Sequence, residues 1–206
     1  MNIRFSLCVF MTIVLALASP SAGRAAEEIY QLDMDHTSIV FGVGHAQLSL
    51  VYGFFRKAQG GFIIDRANPA NCRFRFSVDV NSIDTNNAER DAHLQRADFF
   101  EAARYPKMTF DSTSCTRTDT REGGIVYNVT GDLTIHGVTR RVTLPMRWLG
   151  EGEGAGKKDR RTGFLCQFDL NRKDYGMTSV PLVGNAVGIT ISFEGVLQAD
   201  DITARR

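Results

Sequence analysis

The chain has 206 residues, 43% of them hydrophobic, with 24 Lys+Arg against 23 Asp+Glu. So even a charge balance gives no reason to expect nucleic acid or an anionic membrane surface as a partner. About 180 residues remain behind an N-terminal leader, enough for one domain with a sizeable core and too few for two comfortable ones.

The first 26 residues carry Arg4, an apolar run from Phe5 to Ala18 and a small-residue region ending near Ala25 or Ala26. This is the layout of a secretory signal peptide cut near 25/26; the run is too short for a comfortable transmembrane span. The expected product is exported, and without Arg4 and Arg24 it carries 22 basic against 23 acidic residues, a formal charge of −1.

From Thr37 to His45 the chain alternates, with Ile39, Phe41, Val43 and His45 on one face and Ser38, Gly42 and Gly44 on the other. That period of two predicts a half-buried strand. Leu48 to Asp65 reads as a second strand region with bend points at Gly53 and Gly60-Gly61, ended by the turn signal Asn68-Pro69. Cys72 to Val80 is the cleanest strand, with Cys72, Phe74, Phe76, Val78 and Val80 inward.

Alternation then stops. Thr85 or Asn86 is placed to cap a short helix running to about Gln95, and Asp98 with Glu101 reads as a capping box for a further turn that Pro106 ends. Phe99 and Phe100 in this segment need burial, and the natural place is an open end of the surrounding sheet, as a lid. Strands resume at Pro106 to Thr113, with Met108 and Phe110 inward.

Ile125 to Leu149 reads as one long hairpin around His136-Gly137. A two-residue turn pairs Ile135 with Val138, Gly131 with Val142 and Val129 with Leu144, the register both hydrophobic patterns also require. Pro145 lacks a ladder donor and predicts a bulge or a locally unpaired position. The charged, glycine-rich stretch 150–161 is a solvated connection. Phe164, Cys166, Phe168 and Leu170 form the next inward row, and Val187, Ile189, Ile191, Phe193 and Leu197 the last. Residues 200–206 are a polar tail. The resulting all-β chain has about eight antiparallel strands, each with one oily face, and one helical interruption. A closed barrel and a two-sheet sandwich both satisfy it, and the long coiling hairpin favours the barrel.

Behind the leader remain Cys72, Cys115 and Cys166, in no C-x-x-C or zinc-ligand spacing. Cys72 and Cys115 are candidates for a disulfide at one end of a strand pair, although Cys115 has the opposite parity from Phe110 and needs a bulge to reach it. Four scattered histidines predict no metal site; His36 and His45 with Asp35 are the group a fold could still assemble. No nucleophile elbow, phosphate loop, H-E-x-x-H or dinucleotide fingerprint is present. The outer face, rich in Thr, Arg and Asp, predicts no apolar docking patch.

Several segments resemble the YceI-like periplasmic polyisoprenoid-binding proteins: Asp35-His36-Thr37-Ser38 with Val40-Phe41 and His45; Ser82-Ile83-Asp84-Thr85; Arg90-Asp91-Ala92-His93-Leu94 with Asp98-Phe99-Phe100; Tyr105 to Phe110; Gly131 to Thr139; and Asn171 to Gly176. They occur in family order across nearly the whole exported chain. The resemblance implies an eight-stranded antiparallel lipocalin-like barrel with a short helical lid between two strands, one domain over residues 27–199, in the periplasm. It implies a carrier, storage or sequestration protein for a polyprenyl or quinone lipid, with no other cofactor, no stable membrane insertion, and homodimerisation allowed. A hydrolase or isomerase at the barrel mouth is the alternative, and it would need an acid and a base among inward rows that supply mainly oil.

By periodicity alone the inward row of Phe41, Val43, Phe74, Phe76, Val78, Phe110, Val129, Leu133, Val142, Phe168, Leu170, Ile189 and Ile191 is a packed core, since small barrels usually fill themselves. The resemblance turns this row, with Phe99 and Phe100, into the lining of a lumen. It makes Arg90 and Asp91 a buried pair anchoring the lid, and Arg172 and Asp174 the pins of the final loop. His45 ends an inward row, where a lone His is more often a hydrogen-bonded structural residue than a ligand; its functional reading is a polar handle for a quinone or phosphate head at the barrel mouth.

Overall fold

The computed structural model describes residues 27–155 and 159–198; the expected leader, the polar tail and part of the charged glycine-rich connection lie outside the described residues. Ten strands form, β1 (Glu28–His45), β2 (Ser49–Phe55), β3 (Ala58–Ile64), β4 (Arg73–Asp79), β5 (Ile83–Asp84), β6 (Lys107–Asp119), β7 (Ile125–Ile135), β8 (Val138–Glu153), β9 (Arg160–Asn171) and β10 (Val183–Leu197), with one helix, α1 (Ala88–Leu94). All recorded pairs are antiparallel, and β10 pairs with β1 to close the ring β1-β3-β4-β6-β7-β8-β9-β10, an eight-stranded barrel. Closure removes the open edges that a sandwich of these strands would carry.

The central hairpin has the register read from its two patterns: Ile135 faces Val138, Gly131 faces Val142 and Val129 faces Leu144. His136 and Gly137 both take positive φ, 50° and 72°, as the two central residues of a type I′ turn must. Pro145 faces Asn128 without a bulge. On its other side the ladder to β9 begins only at Met146, so the missing donor falls where β8 and β9 separate.

Several strands run past their expected ends. β8 continues to Glu153 and β9 begins at Arg160, so most of the described part of the stretch 150–161, expected as a solvated connection, is strand. The extensions of β1 and β6 lie beyond a change of parity. In β1 the inward residues are Tyr30 and Leu32, then Ile39 and Phe41. The switch is an irregularity between Asp33 and Ser38, where the Thr37 hydroxyl donates to the Asp33 carbonyl at 2.6 Å. The Asp35-His36-Thr37-Ser38 motif therefore builds a bulge, which turns β1 from pairing with β3 over Glu28–Gln31 to pairing with β2 over Ile39–His45. In β6 a bulge between Ser112 and Ser114 brings Cys115 onto the inner face with Phe110, as its burial requires.

The expected single region from Leu48 to Asp65 breaks at Arg56-Lys57, not at a glycine. There β2 leans outward to pair with β5 while β3 continues in the wall. Gly53 has a different role: a Cβ there would come within 2.3 Å of the Phe41 ring.

The interior divides into two halves. At one end Tyr30, Phe62 and Phe74 stack at 5.1 and 5.4 Å, and Phe164 and Phe193 stack at 5.5 Å and meet Phe62 edge-on. Each aromatic pair adds about 0.5–1.5 kcal/mol beyond the area it buries. With Tyr127, Val129, Cys72 and Cys115 these rings form a solid plug. The other half is hollow.

Candidate ligand-binding site

The hollow half encloses a cavity of about 180 Å³. Ile39, Phe41 and Val43 of β1, Phe76 and Val78 of β4, Leu133 and Ile135 of β7, Phe168 and Leu170 of β9, and Val187, Ile189 and Ile191 of β10 form its wall; Phe110, Met146, Cys166 and Phe193 bound it toward the plug. Burial pushes the Cys166 thiol up to about 12, so it lines the cavity as a neutral apolar group. An apolar cavity of similar volume, about 150 Å³, admits benzene. The resting space thus suits a ring or a short piece of chain, and a long lipid requires the cover to move.

That cover is the segment containing α1. Leu94, Phe99 and Phe100 face the cavity, and Phe100 meets Phe55 edge-on at 5.8 Å. The helix cap is Asn87, whose side chain accepts from the Arg90 amide; neither Thr85 nor Asn86 caps it, because Thr85 is buried and Asn86 has a φ of 59°. No capping box forms at Asp98: its carboxylate meets His93 Nε2 at 2.6 Å, and Glu101 takes a φ of 46°.

The lid is held differently from the expected Arg90–Asp91 pair. Both residues are half-buried and converge on Thr85. Thr85 donates its amide and hydroxyl to Asp91 Oδ1 at 2.9 and 2.5 Å, while Arg90 donates to the Thr85 hydroxyl and carbonyl at 2.7 and 2.6 Å. Thr85, a candidate helix cap by sequence, is the hub instead. On the far side His136 Nδ1 lies 3.0 Å from the Tyr175 carbonyl and its ring meets Tyr105 edge-on, so the hairpin turn ties lid and final loop together.

Arg172 pins that loop and Asp174 does not. The Arg172 guanidinium, 3% exposed, donates to the carbonyls of Gly184, Met177, Val180 and Val183 at 2.5–3.0 Å. Burial away from any carboxylate lowers its pKa. The Asp174 side chain is exposed, and only its carbonyl is used, by Arg140.

Of the residues expected in the lumen, Phe41, Val43, Phe76, Val78, Phe99, Phe100, Phe110, Leu133, Phe168, Leu170, Ile189 and Ile191 line the cavity. Phe74 and Val129 belong to the plug, and Val142 packs against it from the wall. His45 is exposed at the end of β1 and does not line the cavity, because the β1–β2 hairpin carries it beyond the rim. Met108 and Leu144, inward by alternation but outside the expected lumen set, also face the cavity; Leu32 beyond the β1 bulge, Met177 in the final loop and Val183 at the start of β10 face it without any signal in the alternation.

Cys72, Cys115 and Cys166 are free thiols, so the expected bridge is not formed. Cys72 and Cys115 do meet, and hydrogen bonding between them lowers the first and raises the second. His36 is brought together with Asp33 and Glu194 rather than with Asp35 and His45. The cation already at this cluster is Arg161, which bonds Asp33 and reaches Glu194 at 3.1 Å, an arrangement of ion pairs more than of metal ligands. The outer surface, expected to lack an apolar patch, exposes Leu48, Leu50, Tyr52 and Leu182. Among the described residues no helix is long and apolar enough to cross a membrane.

A sequence model of the YceI-like domain matches residues 30–195. Protein YceI of Escherichia coli O157:H7 is 38% identical over 183 residues, covering 86% of this chain and 92% of its own length. Among solved structures, BcnA of Burkholderia cenocepacia superposes with a TM-score of 0.69 at 22% identity, covering 79% of this chain and 98% of its own. A polyisoprenoid-binding domain from Saccharophagus degradans does so with 0.63 at 16%, covering 82% and 98%.

Proposed function

Because this chain belongs to the YceI-like family, whose fold it shares, we propose that its barrel binds the apolar chain of an isoprenoid or quinone-type lipid, as an exported carrier or store. The observation that carries this reading is the cavity beneath the Phe99–Phe100 lid, whose lining is almost wholly apolar. Each CH₂ buried there contributes about 0.8 kcal/mol, so affinity grows with chain length until the space is filled. The polyisoprenoid-binding relative supports the ligand class by analogy of fold, and the leader read in residues 1–26 supports export to the periplasm.

The alternative, an enzyme at the barrel mouth, would need an acid and a base facing the substrate. Among the described residues that line the cavity, the titratable groups are Cys166 and Arg172; burial keeps the first protonated, and four carbonyls occupy the second.

Native mass spectrometry of protein purified without denaturation tests the proposal. The expected result is an apolar adduct, replaceable by an added prenyl alcohol. A protein that arrives empty and takes up neither prenyl alcohols nor quinones would overturn it, and turnover of such a compound would move the reading to the enzyme.

A further inference from the structure

Among the described residues, Ile29 and Leu149 are exposed singly, but the other exposed large apolar side chains fall together. Leu48, Leu50 and Tyr52, 87%, 60% and 59% exposed, lie at the tip and outer face of the β1–β2 hairpin, and Leu182, 63% exposed, lies beside the tip because the Ala46 amide donates to its carbonyl at 2.7 Å. The tip is a three-residue loop between the paired His45 and Ser49: Ala46 and Gln47 take φ values of 50° and 59°, and the Leu48 amide returns to the His45 carbonyl at 3.0 Å. Neither residue is the Asn or Gly such a loop favours, so this projection is held at some conformational cost. The Tyr52 ring lies on the outer wall over Gly42, where a Cβ would come within 2.8 Å of it.

The cluster adjoins the cavity, since Val183 follows Leu182 and pairs with His45, and Val43 lies two residues before His45 in the hairpin; Val183 and Val43 both line the cavity. Its surroundings carry almost no charge. Residues 41–55 contain no Lys, Arg, Asp or Glu, and residues 176–193 contain none either, in a chain where such residues make up 23%. The charged side chain the structure sets beside it is Asp169, which lines an outer-wall groove with Leu50 and Tyr52, so the patch offers a partner little to pair with. Contiguous exposed apolar side chains mark an interaction site, and four of them fall well short of the roughly 20–30 residues a side that a stable protein pair buries. A protruding tip with leucines at its end and a tyrosine behind them is the shape that enters a bilayer interface, where aromatic rings sit at the head groups.

We propose that the β1–β2 tip and Leu182 form a docking surface for an uncharged lipid bilayer, on which the barrel rests reversibly with its opening against the source of its ligand. This rests on the lipid-binding reading above only for its purpose; the surface is tested separately. Wild-type protein is expected to cosediment with zwitterionic phosphatidylcholine vesicles to an extent that added salt does not reduce. The double variant Leu48→Glu/Leu182→Glu is expected to lose at least tenfold in partition, and the milder Leu48→Ser, at a side chain with no packing role, severalfold. Loading of both variants with a fluorescent prenyl alcohol in vesicle-free solution is expected to match wild type: wild type that does not load counts against the ligand reading alone, loss of cosedimentation with loading intact supports the docking surface, and variants that lose both overturn it, because the substitutions then act through the barrel. Wild type that ignores the vesicles, or variants that bind them as well as wild type, would overturn the proposal. So would a solution dimer, seen by light scattering, that the double variant dissociates, since the patch would then face a second copy of the chain.

Discussion

Arg172 shows how a single residue stabilises a loop that has no regular structure. Its four carbonyl partners belong to Met177, Val180, Val183 and Gly184, so one guanidinium closes the whole turn between β9 and β10. Replacing it with Leu leaves those acceptors unpaired, at about 1–3 kcal/mol for each that stays buried. Arg172→Leu is therefore expected to lose about 2–4 kcal/mol in denaturant unfolding, with hydrogen exchange rising first over residues 176–184; Arg172→Lys, which cannot fork, is expected to recover only part. His36 is the opposite case, an exposed group with a directional shift. Hydrogen bonding to Asp33 Oδ2 at 2.8 Å raises its pKa above the ordinary 6.5 and lowers that of Asp33. A raised folded value means that the stabilisation is present in full below the unfolded pKa and fades as pH climbs through the folded one. An NMR titration of the His36 ring should give a midpoint above 6.5, and Asp33→Asn should move it down; a midpoint that ignores the substitution would deny the pair.

At the scale of elements, the lid is the part with two competing demands. Thr85 ties it down through Asp91 and Arg90, and Phe99 and Phe100 close the cavity from above. Thr85→Val keeps the shape of the side chain but removes the hydroxyl shared by both anchors. It is expected to speed release of a bound prenyl probe severalfold in stopped-flow displacement, with a loss of about 1–2 kcal/mol in stability. Phe100→Ala is expected to admit longer chains, read as a shift in chain-length preference by native mass spectrometry. The existence of the lid was legible because two adjacent phenylalanines in an unpatterned segment must be buried. Its attachment was legible only in part: the family motif pointed to Arg90 and Asp91, but Thr85, which joins them, looks like an ordinary cap in sequence, and its partners lie five and six residues on, reached only once the turn at Asn86 is made.

For the whole molecule, eight inward rows and a self-consistent hairpin register were enough to read a barrel, because parity carries over long distances in a sheet. Parity also marks where the reading stopped. The first half of β1 and the second half of β6 were lost because an irregularity in each strand moves the inward set from even to odd or back; the parity of Cys115 showed only that β6 would need a bulge, and nothing in Asp33–Thr37 announces the extra residues in β1. The division of the interior was not legible either: Phe74 and Phe76 are two residues apart on one face, yet Phe74 lies within the plug and Phe76 faces the cavity. That division predicts unequal costs. Phe74→Ala is expected to lose about 3–5 kcal/mol in equilibrium unfolding. Ile189→Ala, beside space that already exists, is expected to lose less, about 2 kcal/mol, and to change prenyl affinity instead. Equal losses at the two sites would mean that the hollow half is as tightly packed as the plug.

The stacked rings of Tyr30, Phe62 and Phe74 have one more consequence. A tube sealed at its base is a cup and not a conduit: a guest backs out through the doorway by which it came. The tail must descend foremost, and whatever chemistry its other end bears stays at the threshold, within reach of the molecule that receives it.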